Sequence, residues 1–135
     1  MVDSNLPQTE SAPVRRLDMP ALSAGHRGAV LVSPDGSLEP VAPAAAVRRI
    51  SDGLVPMVCH APATARRLNT SPFPALDLLE LYAFVRPAKF CRPTPSGLAD
   101  ALELDPPEGL ENEARFLQLA GGVLLTDLIR MEPGR

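Results

Sequence analysis

Histidine, cysteine and carboxylate side chains in the middle of the chain are the residue types that could do chemistry. His60 follows Cys59 directly, and Asp77 lies at the start of the apolar segment 76–85. A histidine acts as a general base only when a partner carboxylate and a nucleophile lie nearby, and the sequence identifies neither. We therefore interpret His60 as a structural or capping residue at a strand end. For Asp77 and Glu80 we expect helix capping or pairing with arginines.

A metal site built from the two cysteines and the two histidines is the alternative. Cys59, Cys91, His26 and His60 are possible ligands, but they lack the close spacings of structural zinc sites. Buried free thiols explain the cysteines better, and His26 suits a turn. The chain also lacks the glycine-rich loop with lysine that cradles ATP phosphates. We predict no catalytic residue, no metal and no cofactor.

Five basic residues could form a local phosphate-binding face. The net charge of −3 at pH 7 gives no global attraction for nucleic acid, so any DNA contact has to come from such a patch. A solvated helix surface is the commoner explanation for scattered arginines. The candidate DNA-binding residues are Arg66, Arg67, Arg86, Lys89 and Arg92.

An α/β domain is predicted to position these side chains. Apolar residues make up 45% of the chain with one Tyr, four Phe and no Trp, which favours a Leu/Val/Ala core between helices and a sheet. A first strand is expected within 17–24. Turn residues at 34–37 separate two further strands at 28–33 and 38–41, and Pro40 restricts the last of these to a sheet edge or to its own end. The apolar run 54–59 predicts a central buried strand.

Helices are predicted at 43–52, 60–68, 76–85, 96–104 and 110–131. Because apolar residues surround most of the helix at 76–85, we expect it to be buried on most sides. Gly121 and Gly122 each cost about 1 kcal/mol in helix propensity, which predicts a kink or break in the last helix. Residues 1–16 are expected to form a disordered leader, and residues 17–131 a single domain.

The sequence predicts a cytoplasmic protein without a membrane partner. No segment reaches the roughly 20 apolar residues that a membrane helix requires. The N-terminus carries Asp3 and Glu10 and has no hydrophobic targeting region. Two cysteines in such a chain are expected to remain reduced.

Several segments resemble the RNase H-like 3'–5' exonucleases of the DnaQ type. VCHAPATARRL, residues 58–68, is similar to that family's strand-to-helix motif, and LDLLELYA, residues 76–83, to its Asp-Thr-Leu-Glu-Leu-Ala segment. SGLADALEL, residues 96–104, is similar to a later helix of the family. More narrowly, residues 17–130 resemble the N-terminal region of DinG-type ATP-dependent DNA helicases of α-proteobacteria. This second resemblance rests on three sequence segments, HAPATARRL, FPALDLLELYAFVRP and TPSGLADAL.

The resemblance implies a small α/β, RNase H-like mixed sheet flanked by helices, which could be incomplete. Such exonucleases hold two divalent metals with four carboxylates and use a histidine as general base. Here residues 21–25 contain no carboxylate, the family's next Asp falls at Ala65, and no histidine lies within 111–116. His60 and Asp77 are therefore interpreted as vestiges of the exonuclease motif that do not complete a metal site.

The function implied by the resemblance is that of a non-catalytic exonuclease-like domain associated with an ATP-dependent DNA helicase. Such a domain would position DNA or pack on the motor, so DNA and a helicase motor are the expected partners. The motor, its ATP site and any iron–sulfur cluster would lie outside these residues, which are not expected to be catalytic alone. The alternative is a free-standing module that recruits a protein through the Leu-rich C-terminal helix. A metal-dependent nuclease is the least favoured hypothesis.

Overall fold

Three antiparallel strands begin the part of the chain, residues 16–131, that this computed structural model describes. They are β1 (Ala21–Ala24), β2 (Ala29–Val32) and β3 (Leu38–Val41). As predicted, the turn at 34–37 joins β2 to β3, and β3 lies at a sheet edge, where Pro40 is tolerated because no further strand needs its missing N–H. The leader expected at residues 1–16 lies outside the described residues, apart from Arg16.

Two short parallel strands complete a mixed sheet. β4 (Met57–Val58) pairs with β1, and β5 (Leu76–Asp77) pairs with β4, both in parallel. The strand order is β3-β2-β1-β4-β5. The sequence predicted a longer strand at 54–59 and a helix that included residues 76 and 77. The second prediction is wrong because the backbone N–H of Leu76 donates to Pro56 O (2.9 Å), a long-range bond that helical periodicity does not reveal.

Five helices flank this sheet. All five begin and end within two residues of their predicted bounds, and the helix predicted at 76–85 begins two residues late because β5 occupies its predicted start. They are α1 (Pro43–Ser51), α2 (Ala61–Leu68), α3 (Leu78–Val85), α4 (Pro95–Leu102) and α5 (Leu110–Met131). The chain is thus a small α/β protein with a mixed five-stranded sheet flanked by helices, as predicted. No helix among residues 16–131 is long and apolar enough to cross a membrane.

The two faces of the sheet carry separate cores. On one face Leu22, Leu31 and Val58 pack against α1 and α2. On the other face Ala21 and Met57 pack against α3, α4 and α5. Because successive strand residues point to opposite faces, helices on both sides explain why the strands are apolar throughout.

The helix α3 is buried on one side only, which corrects the expectation of burial on most sides. Its buried residues are Leu78, Tyr82 and Val85, which follow the i, i+4, i+7 spacing of a single helical stripe. Phe84 is 65% exposed. α3 packs against α5. Beyond the stripe Leu79 and Leu81 are partly buried against the core, whereas Ala83 and Phe84 are exposed.

The last helix, α5, continues through Gly121 and Gly122 without the predicted break. A Cβ atom at Gly121 would lie 2.8 Å from Met57 Sδ and 3.3 Å from Leu17 Cδ2. The glycine therefore lets the helix approach β4 closely. This packing offsets the low helix propensity that suggested a break.

Candidate functional site

The Asp77 carboxylate joins the N-terminal ends of α2 and α3. It is 5% exposed at the end of β5. Its Oδ1 accepts hydrogen bonds from the backbone N–H groups of His60 (3.0 Å) and Leu79 (2.9 Å), and its Oδ2 accepts one from Ala61 (2.7 Å). The predicted capping role of Asp77 is confirmed, and both of its oxygens are occupied. Glu80 is exposed and forms no ion pair within residues 16–131.

His60 contributes through its backbone rather than its ring. It occupies the N-cap position of α2, but its side chain makes no capping hydrogen bond. Its φ of 67° and ψ of 81° place it in the left-handed region, which disfavours non-glycine residues by about 1–3 kcal/mol. The bond from His60 N–H to Asp77 holds this conformation. The backbone of His60 thus has a structural role at the start of α2, whereas capping by the imidazole is not observed.

A small cleft opens where β1 ends, beside α2 and the start of α4. Its lining includes Ser23, Cys59, Thr64, Arg67 and Glu113, and its volume is about 40 Å³, close to the space that one water occupies in the liquid. Ser23 Oγ donates to Glu113 Oε1 (3.1 Å). Arg67 Nη1 donates to the carbonyl of Ala24 at 3.4 Å. Glu113 is the one carboxylate among the described lining residues.

The donor set of this cleft does not suit a divalent metal. Within residues 16–131, no group of three or more His, Cys, Asp or Glu side chains is placed to hold a metal ion. Mg²⁺ and Ca²⁺ require several oxygen ligands, and here Glu113 already accepts a bond from Ser23. The cleft can therefore offer hydrogen bonds to a small polar group, but not the four carboxylates that a two-metal centre uses.

Cys59 is a free, largely buried thiol at the floor of the cleft. Burial is the main reason why the pKa of Cys59 rises to about 12, and the negative charges of Asp77, Cys91 and Glu113 add to the effect. Burial also raises the pKa of Cys91. Because the thiolate is the reactive form, Cys59 is unsuited to act as a nucleophile near neutral pH.

We expect Cys59 to resist alkylation in the folded protein. At pH 8 a thiol with a pKa of about 12 is roughly one part in ten thousand thiolate, against about a quarter for an unperturbed cysteine. Iodoacetamide should therefore label Cys91 first, as measured by mass spectrometry of the two cysteine peptides. In guanidinium chloride both should react alike. Equal labelling rates in the native protein would contradict the buried, neutral thiol.

The predicted DNA-binding residues are distributed over different parts of the surface. Arg66 and Arg67 are exposed in the last turn of α2, and Lys89 and Arg92 are exposed between α3 and α4. Arg86 instead donates to Asp127 Oδ2 at 2.7 Å. Along α5, Asp127 lies about 21 Å from Glu113, so Arg86 lies far from the cleft that Arg67 lines. The five residues do not form one continuous face.

Sequence reasoning missed a buried amide that joins α5 to the sheet. Gln118 is 1% exposed, and its Nε2 donates to the carbonyls of Met19 and Ser33, both at 2.9 Å. Its Oε1 accepts a weak bond from Arg16 Nη1 (3.5 Å). The available signal was a single amide between Leu117 and Leu119, inside an apolar stripe.

Comparison with known proteins gives no assignment for this geometry. No protein-family model, no curated protein and no solved structure matches the chain.

Proposed function

We propose that this chain is a non-catalytic, exonuclease-like domain with an RNase H-like fold that works beside an ATP-dependent DNA helicase of the DinG type. There it positions DNA or packs on the helicase motor. The proposal starts from the resemblance of residues 58–68 and 76–83 to the exonuclease and helicase families. Its support is the element order of the fold and the chemistry of the cleft.

The element order supports the exonuclease-like part of this proposal. Three antiparallel strands are followed by α1, then β4, then α2. This is the succession of strand, hairpin, helix, strand and helix on which the resemblance rests. β5 adds a second parallel strand beside β4, so the two segments that resemble the exonuclease motifs meet at one sheet edge. Asp77 and His60, one from each segment, are directly hydrogen-bonded there.

The observation that carries the non-catalytic part is the shortage of free carboxylates at that edge. β1 contains no Asp or Glu, where the resemblance would place the first pair of metal ligands. Both oxygens of Asp77 accept backbone hydrogen bonds, and Glu113 is the one carboxylate in the described cleft lining. Two divalent cations need several anionic oxygens to generate a nucleophile and stabilise a leaving group. The site therefore supports a scaffold rather than a cutting enzyme.

We expect the purified protein to leave labelled single-stranded DNA intact in the presence of Mg²⁺ or Mn²⁺. Products would be resolved on a denaturing gel after long incubation. The control is Glu113→Gln, which removes the one carboxylate among the described residues of the cleft. Cleavage that is present in the wild-type protein and abolished in Glu113→Gln would overturn the non-catalytic assignment.

The helicase association has a separate test. A neighbouring reading frame with a Walker motif would supply the motor, and the two proteins would then be mixed and passed over a size-exclusion column. Co-elution of the motor with this chain is the expected result. If no such motor is encoded nearby and none co-elutes, the helicase association is wrong, whatever the outcome of the cleavage assay.

One observation favours a second candidate, a protein-interaction module. Phe84 and Phe90 are 65% and 84% exposed, and Ile129 near the end of α5 is 63% exposed. Phe84 lies in the last turn of α3 and Ile129 in the last turn of α5, and the Arg86–Asp127 ion pair joins the ends of these two helices. Exposed aromatic residues are enriched at the centres of protein interfaces. Size exclusion with and without single-stranded DNA separates the two candidates, since absence of a salt-sensitive shift would favour the protein partner.

A further inference from the structure

The two helices on one face of the sheet carry only positive charge. α1 and α2 pack against each other and together cover this face. Their charged side chains are Arg48 and Arg49 in the last turn of α1, and Arg66 and Arg67 in the last turn of α2. All four are exposed, and neither helix contains an Asp or Glu. We call this surface the arginine face.

The opposite helix layer has the reverse charge. Its three helices contain five carboxylates and only two arginines. These are Glu80, Asp100, Glu111, Glu113 and Asp127, with Arg115 and Arg130. Among the helical residues, therefore, positive charge lies on one face of the sheet and mainly negative charge on the other, while Arg86, Lys89 and Arg92 lie in the segment between α3 and α4. Such separation creates a local positive potential that the overall charge conceals.

The arginines of this face are available to a ligand. Within residues 16–131, Arg48, Arg66 and Arg67 form no ion pair. Arg49 pairs with Glu39 at 3.2 Å, but both side chains are about half exposed, and such pairs are weak and readily exchanged. The nearest acidic neighbour along the chain is Asp52, which follows α1. Arg48 and Arg66 are thus exposed without an ion pair, and Arg49 carries one weak pair. Arg67 is exposed as well, but it donates one N–H to Ala24 O at the edge of the cleft.

The remaining surface of these helices indicates which anion they suit. Apart from the arginines, the exposed positions are Ala44, Ser51 and Pro62, and neither helix contains an aromatic residue. Protein interfaces and membrane-surface helices both rely on apolar or aromatic anchors, and here Phe84 and Phe90 lie elsewhere. Guanidinium groups alone are sufficient for phosphates, which they bind in a bidentate manner.

We infer that the arginine face binds the phosphate backbone of a nucleic acid through Arg48, Arg49, Arg66 and Arg67. This deepens the proposed function and rests on its DNA-positioning part, because it supplies the surface on which DNA would lie. It retains Arg66 and Arg67 from the sequence prediction and leaves out Arg86, which Asp127 neutralises. It adds Arg48 and Arg49, which the sequence prediction did not include.

Binding through phosphates alone is independent of sequence and sensitive to salt. Four phosphate contacts predict a slope of about −2.8 for the logarithm of affinity against the logarithm of salt concentration with single strands. Raising the salt from 50 to 200 mM should then weaken binding about fifty-fold. Oligonucleotides of equal length and different sequence should bind alike, since no side chain is assigned to read bases.

The experiment compares two double variants that change the charge equally. Arg48→Gln with Arg66→Gln alters the arginine face, and Arg115→Gln with Arg130→Gln alters the exposed surface of α5. Fluorescence anisotropy with labelled single strands of about 20 nucleotides, and with the matching duplex, gives affinity and salt slope. The first variant should bind at least about ten-fold more weakly at 50 mM salt and lose about half of the slope, whereas the second should change less than about two-fold. Circular dichroism confirms that both variants fold.

Three other results would contradict the binding of nucleic acid by the arginine face. An equal loss of affinity in both variants would assign binding to overall charge and overturn the arginine face, while DNA positioning would stand. No binding of the wild-type protein to either nucleic acid at 50 mM salt overturns both the face and the DNA-positioning role, and packing on the motor is then judged by co-elution alone. Binding to phosphatidylserine vesicles without binding to nucleic acid would reassign the face to a membrane surface.

Discussion

Replacing Asp77 with alanine is expected to lower the free energy of unfolding by about 4 kcal/mol, the largest effect of any single carboxylate in the described structure. The carboxylate is 5% exposed and accepts three backbone hydrogen bonds, so its removal leaves the N–H groups of His60, Ala61 and Leu79 without an acceptor. Each buried, unsatisfied donor is unfavourable by about 1–3 kcal/mol. The left-handed backbone of His60 also loses the bond that holds it.

Urea denaturation followed by circular dichroism measures this effect. Asp77→Asn keeps one acceptor oxygen but presents an amide NH₂ toward an N–H donor. Its free energy of unfolding should therefore fall by roughly half as much as that of Asp77→Ala. The control Asp100→Ala removes an exposed carboxylate from α4 and should change stability by less than about 0.5 kcal/mol. A loss below about 1 kcal/mol in Asp77→Ala would show that other groups hold the two helix starts.

Gly97→Ala is expected to destabilise the fold by about 3 kcal/mol, although alanine favours a helix by about 1 kcal/mol over glycine. A Cβ atom at Gly97, in the first turn of α4, would lie 2.4 Å from Arg92 O and 2.6 Å from Arg92 Cβ. The loop backbone would have to move. That movement would stretch the capping bond in which Gly97 N–H donates to Thr94 Oγ1 at 2.9 Å.

The matched comparison is Gly121→Ala in α5. Its added methyl group would meet Met57 Sδ at 2.8 Å, near the end of a buried but flexible side chain rather than backbone, so a change of side-chain torsion relieves the contact more easily than a backbone shift. We therefore expect a loss of about 1 kcal/mol or less, measured by the same urea titration. Equal decreases in the free energy of unfolding of the two variants would mean that the loop backbone before α4 moves as easily as the Met57 side chain.

Local signals in the sequence were sufficient for much of the fold. The turn residues at 34–37 defined two strands, and the pattern at 110–131 gave the bounds of α5. β5 was missed because a strand of two residues has no detectable period and directly precedes a helix of similar composition. Its pairing with β4 depends on backbone bonds between segments about twenty residues apart, which no local pattern contains.

The candidate site was also predictable only where a local sequence signal exists. An Asp at the start of an apolar helical segment is a local capping signal, so capping was one of the two roles predicted for Asp77, although the helix was predicted to begin at residue 76. Its bonds to the N–H groups of His60 and Ala61, at the start of another helix, could not be predicted locally. The contact between Ser23 and Glu113 spans 90 residues. The arginine face requires knowing that α1 and α2 are neighbours, and the sequence analysis therefore grouped Arg66 and Arg67 with basic residues close to them in the chain.

The buried amide of Gln118 has a consequence for how α5 sits on the sheet. The rest of this interface is apolar and includes Val32, Met57, Leu117 and Ala120, whose contacts have little directional preference. The Nε2 group of Gln118 donates to the carbonyl oxygens of Met19 and Ser33 in this alignment. Sliding the helix along the sheet would leave the amide buried among apolar side chains without these hydrogen bonds, which is unfavourable. Gln118 thus favours one alignment of α5 on the sheet, because its hydrogen bonds are directional and the surrounding apolar contacts are not.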